Sequence, residues 1–153
     1  MPTVFLIADT HFGHANICKF VNYDGSKVRP WENVEEMDEA MVERWNLVVR
    51  PFDKVYHLGD VAIAKRSLVT LSRLNGKKVL IRGNHDIFNL KDYTPYFYDI
   101  RGSHKLNNFV LSHIPVHPAT ITNRWCAGNV HGHLHGNWVM DGDSKDPRYF
   151  VTI

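Results

Sequence analysis

The chain has 153 residues, 44% of them hydrophobic and 22% charged, with a formal net charge of +2. That size and balance suit one soluble globular domain over 1–153 that buries its own core, and with only Cys18 and Cys126 they exclude a disulfide scaffold. No apolar run nears the roughly 20 residues of a spanning helix, and the start MPTVFLIADT lacks a basic leader. The expectation is a cytoplasmic protein with no membrane partner.

The net charge alone is too small to argue for nucleic-acid binding. No acid falls between Asp60 and Asp86 or between Asp99 and Asp141, while acids crowd Glu32–Glu43. Solvated helix faces account for this pattern; an electropositive rim that attracts an anionic substrate is the alternative.

In chain order, Thr3–Asp9 is an apolar run closed by an acid, as in a strand buried on both faces. Residues 10–32 carry Gly13, Gly25 and Pro30 and read as a long loop with one short helix, of a length that often marks function. Asn33 caps a helix, with Glu36 as capping-box partner and Val34, Met37, Met41, Trp45 and Val48 as the apolar face, until Pro51 stops it. A second strand over 53–60, a short helix over Ser67–Leu74 and a third strand over 77–86 follow. This β-α-β-α-β order argues for an α/β domain with mostly parallel strands. The second half reads as strands near 96–102, 104–113, 127–136 and 148–153, with Pro118–Arg124 helical, forming a second and more antiparallel sheet packed on the first.

Three strands end in polar clusters: ADTH (8–11), LGD (58–60) and RGNHD (82–86). The carboxyl ends of parallel strands share one edge, where ligands bind. That edge gathers Asp9, His11, Asp60, Asn84 and His85, and LSH (111–113) and HGHLHG (131–136) can complete it. An extended backbone points Asp9 and His11 to one side, as it does His133 and His135. His131 shares their parity, so spacing alone does not separate it from them. Taken singly, each residue has an ordinary reading: a strand-end Asp caps, Asn84 turns, His113 is a buried histidine, and His57 and His104 are structural.

Together, oxygen and imidazole donors without thiolate suit Mn²⁺, Fe, Ni²⁺ or Zn²⁺. Seven such ligands are too many for one tetrahedral ion and about right for two, some 3.5–4 Å apart, sharing a carboxylate. Asp9 and Asp60 as the only anionic ligands leave such a pair about two positive charges in excess, an electrostatic preference for phosphate.

These motifs closely resemble those of the calcineurin-like metallophosphoesterases: Asp9-Thr10-His11, Gly59-Asp60, Gly83-Asn84-His85-Asp86, His113 and Gly132-His133-Leu134-His135, in that order across residues 9–135. The extension HFGHANI looks like a small bacterial or phage-type branch. The resemblance implies a sandwich of two sheets flanked by helices. It implies one metal on Asp9, His11 and His135 and a second on Asn84, His113 and His133, with Asp60 bridging and His131 outside. It also implies His85 as a general acid whose ring Asp86 orients. One departure is that the G-D motif continues as GDVAIAK, without the further acid or arginine of several relatives.

The expected activity is phosphoester hydrolysis by a hydroxide activated between two divalent ions, manganese first. The substrate is small, such as a nucleotide or cyclic phosphodiester, and a diester is favoured over a monoester. Nucleic acid enters only as a possible substrate, since 153 residues are expected to leave no room for the cap domain by which larger nuclease relatives grip DNA. His14, Phe12 and Asn16 are candidate substrate contacts. The competing expectations are a protein-binding scaffold on the same fold, and a single structural zinc held by His113 and the 131–135 histidines.

Overall fold

The computed structural model describes every residue except Tyr23, Asn123 and Ile153. It is a mixed α/β arrangement. Strands β1 (Val4–Ile7), β2 (Lys54–His57), β3 (Lys77–Ile81) and β4 (Asp99–Arg101) form one all-parallel sheet in that order. Strands β5 (His104–Leu106), β6 (Phe109–Ser112), β7 (Gly128–His131) and β10 (Tyr149–Val151) form a second, ordered β10-β7-β6-β5. Between β7 and β10 in sequence, β8 (Met140–Asp141) and β9 (Ser144–Lys145) make a small hairpin that the sequence pattern did not announce.

The second sheet departs from expectation. Only β5 and β6 run antiparallel, and both β6–β7 and β7–β10 pair in parallel. The long 113–127 connection gives the chain room for a parallel return, which a tight turn would forbid. Its expected helix shrinks to a 3-10 turn over Pro118–Thr120; Asn123 lies outside the described residues, as does the Ile153 end of the last expected strand.

Alternation along the first sheet explains its double burial. Tyr56, Val79 and Ile81 pack with Leu111 and Val130 of the second sheet, whereas Val55 and Leu80 join Trp45, Leu68, Leu71 and Tyr93 on the helical side. The helical layer is mainly α1 (Val34–Val48) and a 3-10 segment, Lys65–Arg73, where a short helix was expected. Asn33 caps α1 by accepting from the Glu36 amide at 2.8 Å, but Glu36 Oε2 accepts from the Glu32 amide and not from Asn33. Val48 is exposed, and Val42 and Val49 take its place in the core, since Val49 stands four residues after Trp45 on the buried stripe. A one-turn helix α2 (Leu90–Tyr93) places Tyr93 in the same core. Among the described residues no helix is long and apolar enough to cross a membrane.

Candidate metal centre

Asp9, Asp60 and Asn84 follow the ends of β1, β2 and β3, His113 follows β6, and His133 and His135 follow β7. Pairing continues past the strands, with the Asp9 amide on the Gly59 carbonyl at 3.0 Å and the His11 amide on the Asp60 carbonyl at 3.0 Å. The Gly132 amide likewise reaches the His113 carbonyl at 3.0 Å. The parallel strands of both sheets therefore deliver their carboxyl ends to one place, the shared edge that was expected.

The local backbone is not as expected. Asp9 (φ 55°), His11 (φ 50°), Asp60 (φ 57°), His133 (φ 67°) and His135 (φ 51°) all lie in the left-handed region and not in extended chain. Among the described non-glycine residues Asn107 is the sixth, and it sits in the β5–β6 hairpin, where such a turn residue is ordinary. At these five candidate ligands the backbone twists to bring the side chains together, at a cost of order 1–2 kcal/mol per residue.

The residues group into two triads whose donor atoms lie within 4.8 Å of one another: Asp9, His11 and His135, and Asp60, His113 and His133. Asp60 also links the two groups, with Oδ2 3.3 Å from His113 Nε2 and 4.0 Å from His11 Nε2. Each carboxylate is divided in the same way. Asp9 Oδ2 accepts from the His133 amide at 2.9 Å, leaving Oδ1 to face His11 Nε2 at 3.7 Å and His135 Nε2 at 3.9 Å. Asp60 Oδ1 accepts from the His85 amide at 2.8 Å, leaving Oδ2 for the imidazoles.

Close backbone approach is required at several glycines of the site, Gly59 and Gly132 among them. A Cβ on Gly59 (φ 95°) would stand 2.6 Å from Gly83 Cα and from His113 Nδ1. One on Gly132 would stand 2.6 Å from Ala8 Cβ and from Asp9 Oδ2.

The donor set fits divalent cations on grounds of hydrogen-bonding chemistry. Asp9 Oδ1 and both ring nitrogens of His11 are buried without a hydrogen-bond partner, an arrangement that folded proteins avoid. His113 Nδ1 donates to the Leu58 carbonyl at 2.7 Å, so in the neutral ring the Nε2 lone pair faces Asn84 Oδ1 at 2.8 Å. Two acceptors then point at each other; a cation beside them removes the conflict, as would a second ring proton shared with Asp60 or an Asn84 amide turned to present Nδ2. The Leu58 contact is the kind of outer bond that fixes the tautomer of a metal-ligating histidine.

Burial pushes the Asp9 and Asp60 carboxyls up, yet the surrounding imidazoles and backbone amides bring both below the usual range, so both stay ionised. Burial pushes His113 down, but the Asp60 hydrogen bond and charge leave it above its ordinary value. Burial lowers His135.

His131 belongs to neither triad: it is buried, donates from Nδ1 to the Gly132 carbonyl at 2.8 Å, and packs its ring edge against Tyr149. His133 and His135 fall in different triads, which is incompatible with one structural zinc held by the 131–135 run and His113. His57 is fully buried, stacked on Trp45 and hydrogen-bonded to Thr10 at 2.9 Å; burial pushes it down to about 3, so it stays neutral. His104 stacks on Tyr56.

Asn84 and His85 are exposed at the mouth, and the His85 ring lies 5.9 Å from that of His11. Asp86 does not orient that ring. Its Oδ2 accepts from the Asp60 and Gly83 amides at 2.8 Å each, and its Oδ1 from the Val61 amide at 3.0 Å, so both oxygens are occupied. It straps the loop after β3 to the loop after β2. Burial pushes its carboxyl up against the pull of those amides.

A cleft of ≈550 Å³ opens beside the centre, lined by His11, His85 and His135 and by His14, Ile17 and Phe20. Phe12 is not a substrate contact, being fully buried in the helical core, and Asn16 is exposed away from the cleft lining. Arg29 had no sequence signal, being one basic residue in a loop. It is half-buried and donates from Nη2 to the Asp9 carbonyl at 2.6 Å, which braces the first triad from behind.

No family model matches the chain. Across 157 aligned positions it is 40% identical to the uncharacterized protein MJ1445 of Methanocaldococcus jannaschii, covering 97% of this chain and 78% of that protein. The chain belongs to the family of MJ1445. It is also 31% identical over 91 residues to the gene 66 protein of Mycobacterium phage L5, covering 56% of this chain and 41% of the phage protein. The crystal structure of the protein of unknown function AQ665 from Aquifex aeolicus shares the fold, with a TM-score of 0.67 at 24% identity over 99% of this chain and 88% of the other.

Proposed function

We propose that this protein of the MJ1445 family is a metal-dependent phosphoesterase of the calcineurin-like type, with its two sheets forming that family's helix-flanked sandwich. The observation that carries the reading is Asp60 Oδ2 standing between two triads, five of whose six residues occupy left-handed backbone. Asp9, His11 and His135 would hold one divalent ion, and Asn84, His113 and His133 the other, with Asp60 shared. Two such ions, manganese or else iron, nickel or zinc, supply the acidity that makes a nucleophile of water near neutral pH and the charge that balances phosphoryl oxygens.

The chain's own groups do the rest. Asp9 and Asp60 stay ionised, and their second oxygens are tied to backbone amides, which fixes the ligand geometry before substrate arrives. His85 stands exposed at the mouth, where a ring proton can pass to the departing oxygen, a role worth about 10²–10⁴ in rate. Among the described residues lining the cleft there is no lysine or arginine. A monoester dianion would lack a cationic clamp, which favours the singly charged diester. Small nucleotides and cyclic phosphodiesters fit this chemistry, with nucleic acid entering as substrate alone.

Metal analysis after manganese loading, together with turnover of bis(p-nitrophenyl) phosphate and p-nitrophenyl phosphate, tests the proposal. Two ions per chain and faster diester than monoester cleavage are expected. Two bound ions with neither ester cleaved would overturn it.

A further inference from the structure

The 3-10 turn Ala15–Lys19 begins at His14, whose Nδ1 accepts the Ile17 amide at 3.1 Å; the same amide reaches the His14 carbonyl at 3.2 Å. A proton on Nδ1 would set two hydrogens face to face across that contact, so Nδ1 carries the lone pair and Nε2 carries the proton. Capping alone does not call for imidazole, since Ser, Thr, Asp and Asn are the usual residues there. What imidazole adds is an N–H on the far side of the ring. Among the described residues no acceptor engages it.

The ring is also held in place. Phe20 meets it edge-on at 5.8 Å, and it meets His11 edge-on at 5.8 Å, close to the 5.9 Å between His85 and His11. Thus two imidazoles flank His11 in one cleft, one on the loop after β3 and one on the 10–32 loop. The cleft wall contributed by the His14 loop is mainly apolar, made by Ile17, Phe20, Val21 and Val28 with Asn22 the polar exception, although Phe20 and Val21 are well exposed.

We infer that His14 is a substrate-binding residue: its Nε2–H donates to a phosphoryl oxygen, and the adjoining apolar wall receives the organic substituent of the ester. The substrate class is then a phosphodiester bearing a flat or apolar group. This rests on the phosphoesterase reading and adds to it a residue outside the ligand motifs.

His14→Asn keeps an acceptor where Nδ1 stood, while its amide N–H stops short of the Nε2 position; His14→Gln places an amide N–H near the Nε2 position and gives up the cap. The measurements are melting temperature, manganese content, calorimetric binding of inorganic phosphate to the manganese-loaded protein, and nitrophenyl diester kinetics. His14→Asn is expected to match wild type in melting and metal content. Its phosphate affinity should fall about tenfold to a hundredfold, the range for a hydrogen bond to a charged group, with KM rising more than kcat falls. His14→Gln should melt lower and keep most of the phosphate affinity. His14→Asn binding phosphate as wild type does, while wild type cleaves the diester, overturns the inference alone. Phosphate binding that depends on His14 without any cleavage upholds the donor and rejects the enzyme. Neither binding nor cleavage by wild type rejects both.

Discussion

Asp86→Asn separates a strap from a catalytic partner. In the wild type one oxygen takes the Asp60 and Gly83 amides at 2.8 Å and the other takes the Val61 amide at 3.0 Å. An asparagine can offer only one oxygen. Its better rotamer keeps the two short contacts and turns an NH₂ group against the Val61 N–H. Leaving a buried amide unpaired costs about 1–3 kcal/mol, and weakening two charge-assisted bonds to neutral ones costs about 1 kcal/mol each. Relief from burying a charge offsets part of this, which leaves a net loss of about 2–4 kcal/mol, a large share of the 5–15 kcal/mol typical of a domain. Urea denaturation of the metal-free protein at neutral pH reads this directly. His85→Ala serves as the comparison, because its ring is exposed and its backbone bond to Asp60 survives; it should cost under about 0.5 kcal/mol. Had Asp86 served to orient that ring, the two variants would lose activity together and stability hardly at all. A value for Asp86→Asn within about 0.5 kcal/mol of wild type would refute the strap.

Gly132→Ala should destabilise by about 1–3 kcal/mol through overpacking against Ala8 and Asp9, and should weaken manganese binding at the Asp9 triad; unchanged melting and metal titration would count against the close approach. Asp38 accepts from the Gly13 amide and is pushed by burial up to about 6, above its unfolded 3.8. A raised carboxyl binds its proton more tightly when folded, so its stabilising contribution is complete below pH 3.8 and lost as pH rises through 6. Melting curves of wild type and Asp38→Asn should therefore converge or cross between those pH values and run parallel above, and a constant difference across the range would dismiss the shift.

Which parts of this were legible in the sequence follows from how far each signal reaches. Apolar runs, closed by an acid at β1 and β2 and entering a polar loop at β3, marked these strands; β2 and β3 are buried on both faces, while β1, at the sheet edge, is only partly covered. The convergence of the candidate ligands was legible for the same reason, since parallel strands share one end. The hairpin β8–β9 and the single turn α2 are too short to carry a period. Val48 was misplaced because Val49 stands on the same stripe, and only packing decides between them. Asp86 was misread because adjacency to His85 says nothing of direction: its carboxylate turns away to three amides. The strand direction of the second sheet depended on a connection whose path no local pattern records.

The left-handed backbone at five ligands was invisible for a deeper reason, and it bears most on what the site is for. Asp and His tolerate that conformation better than branched residues do, but they do not seek it. Five instances at one point cost of order 5–10 kcal/mol, comparable with the whole net stability of a domain. The same point leaves Asp9 Oδ1 and the His11 ring nitrogens buried without partners. Folding alone gains nothing from either expense: a glycine would relieve the first and an apolar side chain the second. Both become intelligible if binding energy arrives from outside the chain, as it does when cations meet a ready set of lone pairs. On that argument the metal-free protein should melt lower than the loaded one by more than any ordinary ligand shift. Manganese that bound without raising the melting temperature would mean that the twist at these residues serves something other than a metal.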